Sequence, residues 1–146
     1  MGTSMLVGEV LRKKGYGYIA VDPDATAYEA LEMMSRKNVG AMPVLDDGVV
    51  IGMFSERDYA RKVILHGRAS KNTVVRELMT SPPVTVSPTT SVKDCMALMS
   101  EHHVRHLPVL KDGILIGVVS MRDTVNAIIA DQETTITHLE KYISGT

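Results

Sequence analysis

The chain has 146 residues, of which 45% are hydrophobic and 23% charged, the balance of one folded globular domain and of neither a disordered nor a fibrous segment. Sixteen basic residues against seventeen acidic ones leave no positive surplus for a phosphate backbone, and 4% aromatics with no Trp leave no base-stacking platform, so no nucleic-acid partner is expected. A single cysteine, Cys95, an N-terminus without the pattern of a signal peptide, and no apolar run near the roughly 20 residues of a membrane span point to a reduced, cytoplasmic protein with no membrane partner.

The chain repeats itself. Segment 21–64 lies over 86–129 at an offset of about 65 residues, ungapped, with roughly sixteen identities in about 44 positions. Two copies of one supersecondary unit are expected to pack together, because one copy alone leaves its apolar face uncovered, and a cleft then runs between them. Each unit opens on a short strand, Tyr18 to Val21 or Val84 to Val86. A hydroxyl residue with an acid three positions on, Thr26 with Glu29 or Ser91 with Asp94, then starts a helix with apolar residues at Leu31 and Met34 or Met96 and Met99. Met42-Pro43-Val44-Leu45 and the run 49–54, joined by an Asp-Gly turn, predict a hairpin, as do Leu107-Pro108-Val109-Leu110 and 114–119. From Ser55 and Ser120 helical spacing resumes, through Ala60, Val63 and Ile64 or Val125, Ile128 and Ile129. Between the units, His66 to Thr73 is polar and contains glycine, a surface connector. The tail from Asp131 carries Ile136, Leu139 and Ile143 at helical spacing, a packing or dimer element. The fold class is α/β (α+β): two strand-helix-strand-strand-helix repeats over 6–68 and 74–130, followed by a C-terminal helix over 131–146.

Both junctions between the second hairpin strand and the following helix, Gly52 to Asp58 and Gly117 to Asp123, keep Gly, Ser, Arg and Asp. One reading is capping, with Ser as N-cap and Asp near the positive end of the helix dipole. The other is a site: free N–H groups, a hydroxyl and a guanidinium suit a phosphate, and a carboxylate suits a ribose diol. The two are compatible.

These features resemble the CBS domains, named for cystathionine beta-synthase: the two G-h-h-S-x-x-D junctions (h apolar), the two h-P-V-h strands, and the leading V-D-P and V-S-P segments, in the same order twice. The likeness covers nearly the whole chain and is greatest to free-standing bacterial CBS pairs. It implies a pseudo-twofold disc with two adenine-nucleotide sites in the cleft, each borrowing from both repeats. One site would take Ser55, Arg57 and Asp58 with Pro83, Val84, Thr85 and Val104 around the adenine. The other would take Ser120, Arg122 and Asp123 with Tyr18, Ile19, Ala20, Val39 and Gly40. The ligand implied is AMP, ADP or ATP, with NAD(H) possible and S-adenosylmethionine a lesser candidate; the partners are that nucleotide, a second copy in a homodimer, and a regulated protein.

The repeats diverge before the Pro-Val strand, at Asn38-Val39-Gly40-Ala41 against His103-Val104-Arg105-His106. The resemblance makes this a phosphate-contacting element, so Arg105 and His106 would reach the phosphates of the ligand held by Asp123, while Gly40 and Ala41 leave room. The two sites are therefore expected to be non-equivalent. His102, His103 and His106 raise a metal reading, but they fall where a helix turns into a strand and no Cys completes a tetrahedral set, so no metal is expected. Cys95 lies on the apolar side of its helix, as a core residue rather than a nucleophile. The expected function is a non-enzymatic regulatory sensor. An oligomerisation module with an empty cleft is the alternative, and an enzyme a more remote one, because duplicated binding elements are not a catalytic constellation.

Overall fold

A computed structural model describes residues 5–67 and 69–144; Arg68 of the connector and 145–146 of the tail lie outside the described residues. In chain order the elements are α1 (Val7–Lys14), α2 (Ala27–Lys37), the hairpin β1 (Ala41–Asp46) and β2 (Val49–Ser55), α3 (Glu56–Tyr59), a π-helical turn Ala60–Ile64, a 3-10 turn Val75–Glu77, α4 (Val92–His102), the hairpin β3 (His106–Lys111) and β4 (Ile114–Ser120), and α5 (Met121–Ser144). Helices, strands and two antiparallel two-stranded sheets give the mixed α/β class expected. No helix among the described residues is long and apolar enough to cross a membrane.

Local chemistry explains the boundaries. Thr26 and Glu29 form a reciprocal capping box, and Ser91 accepts from Asp94 N–H. Each hairpin turns on Asp-Gly with both residues at positive φ, 54° and 81° at Asp47-Gly48 and 52° and 80° at Asp112-Gly113, the type I′ geometry that matches strand twist. Ile51 and Ile116 are extra residues in their strands, since the pairing shifts after Val44 and Val109.

Each repeat has its own core, completed by a segment from outside it. Val21, Met34, Met42, Val44, Phe54 and Val63 of the first repeat enclose Val75 and Leu78 from after the connector. Val86, Met99, Leu107, Val109 and Val119 of the second enclose Val7, Val10 and Leu11 of α1. Burying a side chain such as Phe54 stabilises by roughly 1.5–3 kcal/mol. The two lead-ins dock alike: Val7 and Gly8 N–H donate to the Thr90 and Pro88 carbonyls, as Val75 and Arg76 N–H do to Ala25 and Pro23. Pseudo-twofold symmetry is thus carried by the backbone.

Three expectations are corrected. The strands expected at Tyr18 to Val21 and Val84 to Val86 do not form; only the single parallel bridges Val21–Val44 and Val86–Val109 do. Val21 donates to the Pro43 carbonyl and accepts from Leu45 N–H, but the next rung needs an N–H that Pro43 lacks, and Pro108 stops the other ladder in the same way. The helix after Ser55 is one α turn that widens into the π turn, in which Val63 is buried and Lys62 donates to the Leu78 carbonyl at 2.8 Å. In the second repeat no break separates helix from tail: α5 runs unbroken from Met121 to Ser144, a stretch with neither Gly nor Pro. α1 was not expected at all.

Candidate functional site

The junctions Ser55–Asp58 and Ser120–Asp123 sit where a hairpin strand meets a helix N-terminus, and the lead-in of the opposite repeat runs past each. Met53 and Thr80 exchange backbone bonds, and Gly17 N–H donates to the Ile116 carbonyl of the bulge. This brings 80–85 beside Asp58 and 14–20 beside Asp123, so each carboxylate is met by both repeats.

At the first junction the Asp58 carboxylate accepts from Ser55 N–H and Oγ at 2.9 Å and from Thr80 Oγ at 3.1 Å, with Lys62 Nζ at 3.6 Å. Ser55 Oγ accepts from Asp58 N–H. At the second, Asp123 accepts from Ser120 N–H at 2.8 Å and from Lys14 Nζ at 2.8 Å, and Lys14 also donates to the Val118 carbonyl. Capping is therefore what the acids do in the free protein. Burial alone would raise the Asp123 carboxyl, but the Lys14 ammonium and the Ser120 N–H and hydroxyl hold it below the usual carboxylate range.

The divergent element behaves as its charges dictate. His106 is half-buried, and burial, then Lys14, push its imidazole below its ordinary value; Asp123 pulls the other way, and Arg105 lowers it by less than that. Opposite it, a Cβ added at Gly40 would lie 3.2 Å from Glu56 Oε1 and 3.7 Å from His106 Cε1, so Gly40 marks where the repeats face one another. The helices are tied to these elements through Glu56 N–H to the Gly40 carbonyl and Met121 N–H to the Arg105 carbonyl. Lys14, Asp123, Arg105 and His106 lie within electrostatic reach of one another on the second side, and Asp58 meets Lys62 on the first.

The other expected residues take these positions. The Arg57 guanidinium donates to the His103 carbonyl of the other repeat at 2.9 Å. Val39 and Ile19 pack on the first core, Val84 and Val104 on the second; Ala41 is buried, Ala20 and Pro83 half-buried, and Tyr18 and Thr85 exposed. Lys14 and Thr80 were missed. Both lie just ahead of the leading segments, but nothing local says that either reaches an acid across the repeat boundary. Among the described residues no group of three or more His, Cys, Asp or Glu could hold a metal ion. Cys95 is buried, which pushes its thiol up to about 11.

Comparison with known proteins bears on this arrangement. The model of the CBS domain matches residues 7–65 and 75–130. The chain is 37% identical to the CBS domain-containing protein CBSX3, mitochondrial, of Arabidopsis thaliana, over 97% of this chain and 73% of that protein. It is 38% identical to the CBS domain-containing protein YhcV of Bacillus subtilis, over 70% of this chain and 73% of that one. Among solved structures, a CBS-domain protein of Burkholderia ambifaria whose name places it in signal transduction is 44% identical, covers 88% of this chain and 96% of its own, and superposes with a TM-score of 0.84.

Proposed function

The chain belongs to the CBS domain family, two repeats of it in tandem, and from that premise we propose that it is a regulatory module that binds adenine nucleotides in the cleft between the repeats and catalyses no reaction. One observation carries the reading: each junction carboxylate is reached by a side chain of the opposite lead-in, Thr80 to Asp58 and Lys14 to Asp123. A ligand seated on either acid touches both repeats and so senses their separation. Ser55 and Ser120 supply hydroxyls at helix N-termini, where anions are favoured.

The ribose diol would bind the carboxylate by exchanging with partners it already has, Thr80 and Lys62 at Asp58 and Lys14 at Asp123. The second side, where Lys14 and Arg105 stand near His106, suits a polyphosphate such as ATP. The first, with the Glu56 carboxylate next to its Ser55–Asp58 junction, suits AMP or the less charged end of NAD(H). S-adenosylmethionine, a cation, fits the first side if either. We take the working form to be a homodimer in the reducing cytoplasm, acting on a regulated protein.

The satisfied carboxylates favour one other reading, an oligomerisation module whose junctions only cap helices. A thermal-shift panel of AMP, ADP, ATP, NAD, NADH, S-adenosylmethionine, GMP and CMP separates the two. A ligand that binds only the folded chain stabilises it by about 2.7 kcal/mol at 100 times Kd. Shifts with adenine nucleotides and not with CMP support binding; a panel without shifts supports the structural module.

A further inference from the structure

Beyond the second core α5 continues as an arm. Every residue from Ile129 to Ile143 is exposed, a length of about 22 Å at 1.5 Å per residue. Alone it would be a poor helix, because Thr134, Thr135, Ile136 and Thr137 are β-branched in succession and isolated helices of this length are marginal in water. The three threonine hydroxyls bond back to carbonyls four residues earlier, which satisfies them without adding a packing partner.

Val125, Ile129, Gln132, Ile136, Leu139 and Ile143 follow at steps of four, three, four, three and four, the 3.5-residue period of a supercoiled seam. Thr124 and Ala127, which α5 buries against its own repeat, lie on another face. The chain's own fold therefore does not use the seam. Ile129, Ile136 and Ile143 stand at a positions, Val125, Gln132 and Leu139 at d; Ile at every a position, with Leu139 at one d position, fits two parallel strands.

Polar residues set direction and register. In an antiparallel pair that seats Ile136 on Leu139 of a second copy, Glu133 would face the second copy's Glu140 across the seam edge, like charge against like. In a parallel pair the neighbours across the edge are Ile128 with Glu133 and Thr135 with Glu140, and no like charges meet. Gln132 in the seam faces an identical amide only when two copies run parallel and in register. Any other register buries it against aliphatic side chains, unpaired.

We propose that the arm of α5 forms a parallel, in-register, two-stranded coiled coil with a second copy of this chain, Gln132 facing Gln132. The inference rests on the reading of the protein as a homodimer and adds which surface joins the copies and in which direction. Ile129→Cys tests geometry. In the parallel coil the introduced thiols face each other and mild oxidation joins the copies; in the antiparallel pair that seats Ile136 on Leu139 they stand about 25 Å apart, beyond disulfide reach. Wild type, whose Cys95 is buried, is the control. Sedimentation velocity at micromolar concentration is expected to show a dimer for wild type and a monomer for Ile136→Asp, with the thermal midpoint of the body retained because the arm lies outside both cores. A wild-type dimer whose Ile129→Cys form does not cross-link, or an Ile136→Asp form that stays dimeric, overturns the coiled coil and leaves self-association standing. A monomeric wild type overturns both.

Discussion

Replacing Asp58 by Ala separates two jobs that one carboxylate can hold. The free chain loses three acceptor contacts, from Ser55 N–H, Ser55 Oγ and Thr80 Oγ at 2.9, 2.9 and 3.1 Å, around a side chain only 13% exposed. Hydrogen bonds to a charged group contribute roughly 1.5–3 kcal/mol each but do not add when they share an acceptor, so the expected cost is about 2–3 kcal/mol of stability. Asp123→Ala should cost less, about 1–2 kcal/mol. It loses Ser120 N–H and an ion pair whose Lys14 side chain is 43% exposed, so water offsets most of the pair. Urea melts without ligand read these losses. If the carboxylates also hold a ribose diol, each variant loses in addition about ten- to a hundred-fold in nucleotide affinity at its own site, measured by calorimetry below the variant's unfolding transition. Lowered urea midpoints with nucleotide affinity within about twofold of wild type in both variants would refute the diol role and leave only the caps.

Three further outcomes are expected. Gly52→Ala sets a Cβ 2.8 Å from the Thr80 carbonyl and 2.7 Å from Met79 Sδ, whereas Gly117→Ala meets the side-chain end of Leu11 at 3.1 Å and the Gly17 carbonyl at 3.6 Å; thermal melts should show a loss of about 1–3 kcal/mol for the first and less for the second. His106 is held below its ordinary value, so the unfolded chain binds its proton more readily. Its contribution to stability is complete above about pH 6.5 and lost as pH falls through the depressed value, and His106→Gln should flatten the urea midpoint between about pH 7 and 5; an unchanged slope contradicts this. A phosphate beside His106 favours the protonated ring, so ATP binding should take up a proton near neutral pH and weaken as pH rises, which calorimetry in buffers of different ionisation enthalpy detects.

The local structure was legible because local chemistry decides it. Thr26 with Glu29, Ser91 with Asp94 and the two Asp-Gly turns each name an element end from a few adjacent residues, and the structure places helix starts and hairpins there. The leading strands failed for a reason also written in the sequence, the missing N–H of Pro43 and Pro108 on the strands they would join. α1 carried a signal that was passed over: Val7, Val10 and Leu11 at helical spacing, then basic residues before Gly15. What could not be read was non-local. The docking of α1 on the second core and the reach of Lys14 to Asp123, 109 residues away, depend on how the repeats pack. The same holds for Arg57, whose position beside a phosphate motif gave no hint that the His103 carbonyl would take its guanidinium.

Adenine-nucleotide binding in the cleft is measured by titration calorimetry of the intact protein with ATP, AMP and CMP. Saturable binding of ATP and AMP is expected, with ATP affinity reduced in Asp123→Ala and CMP showing little heat. Equal binding of AMP and CMP, or no saturable heat from any of the three, would contradict it.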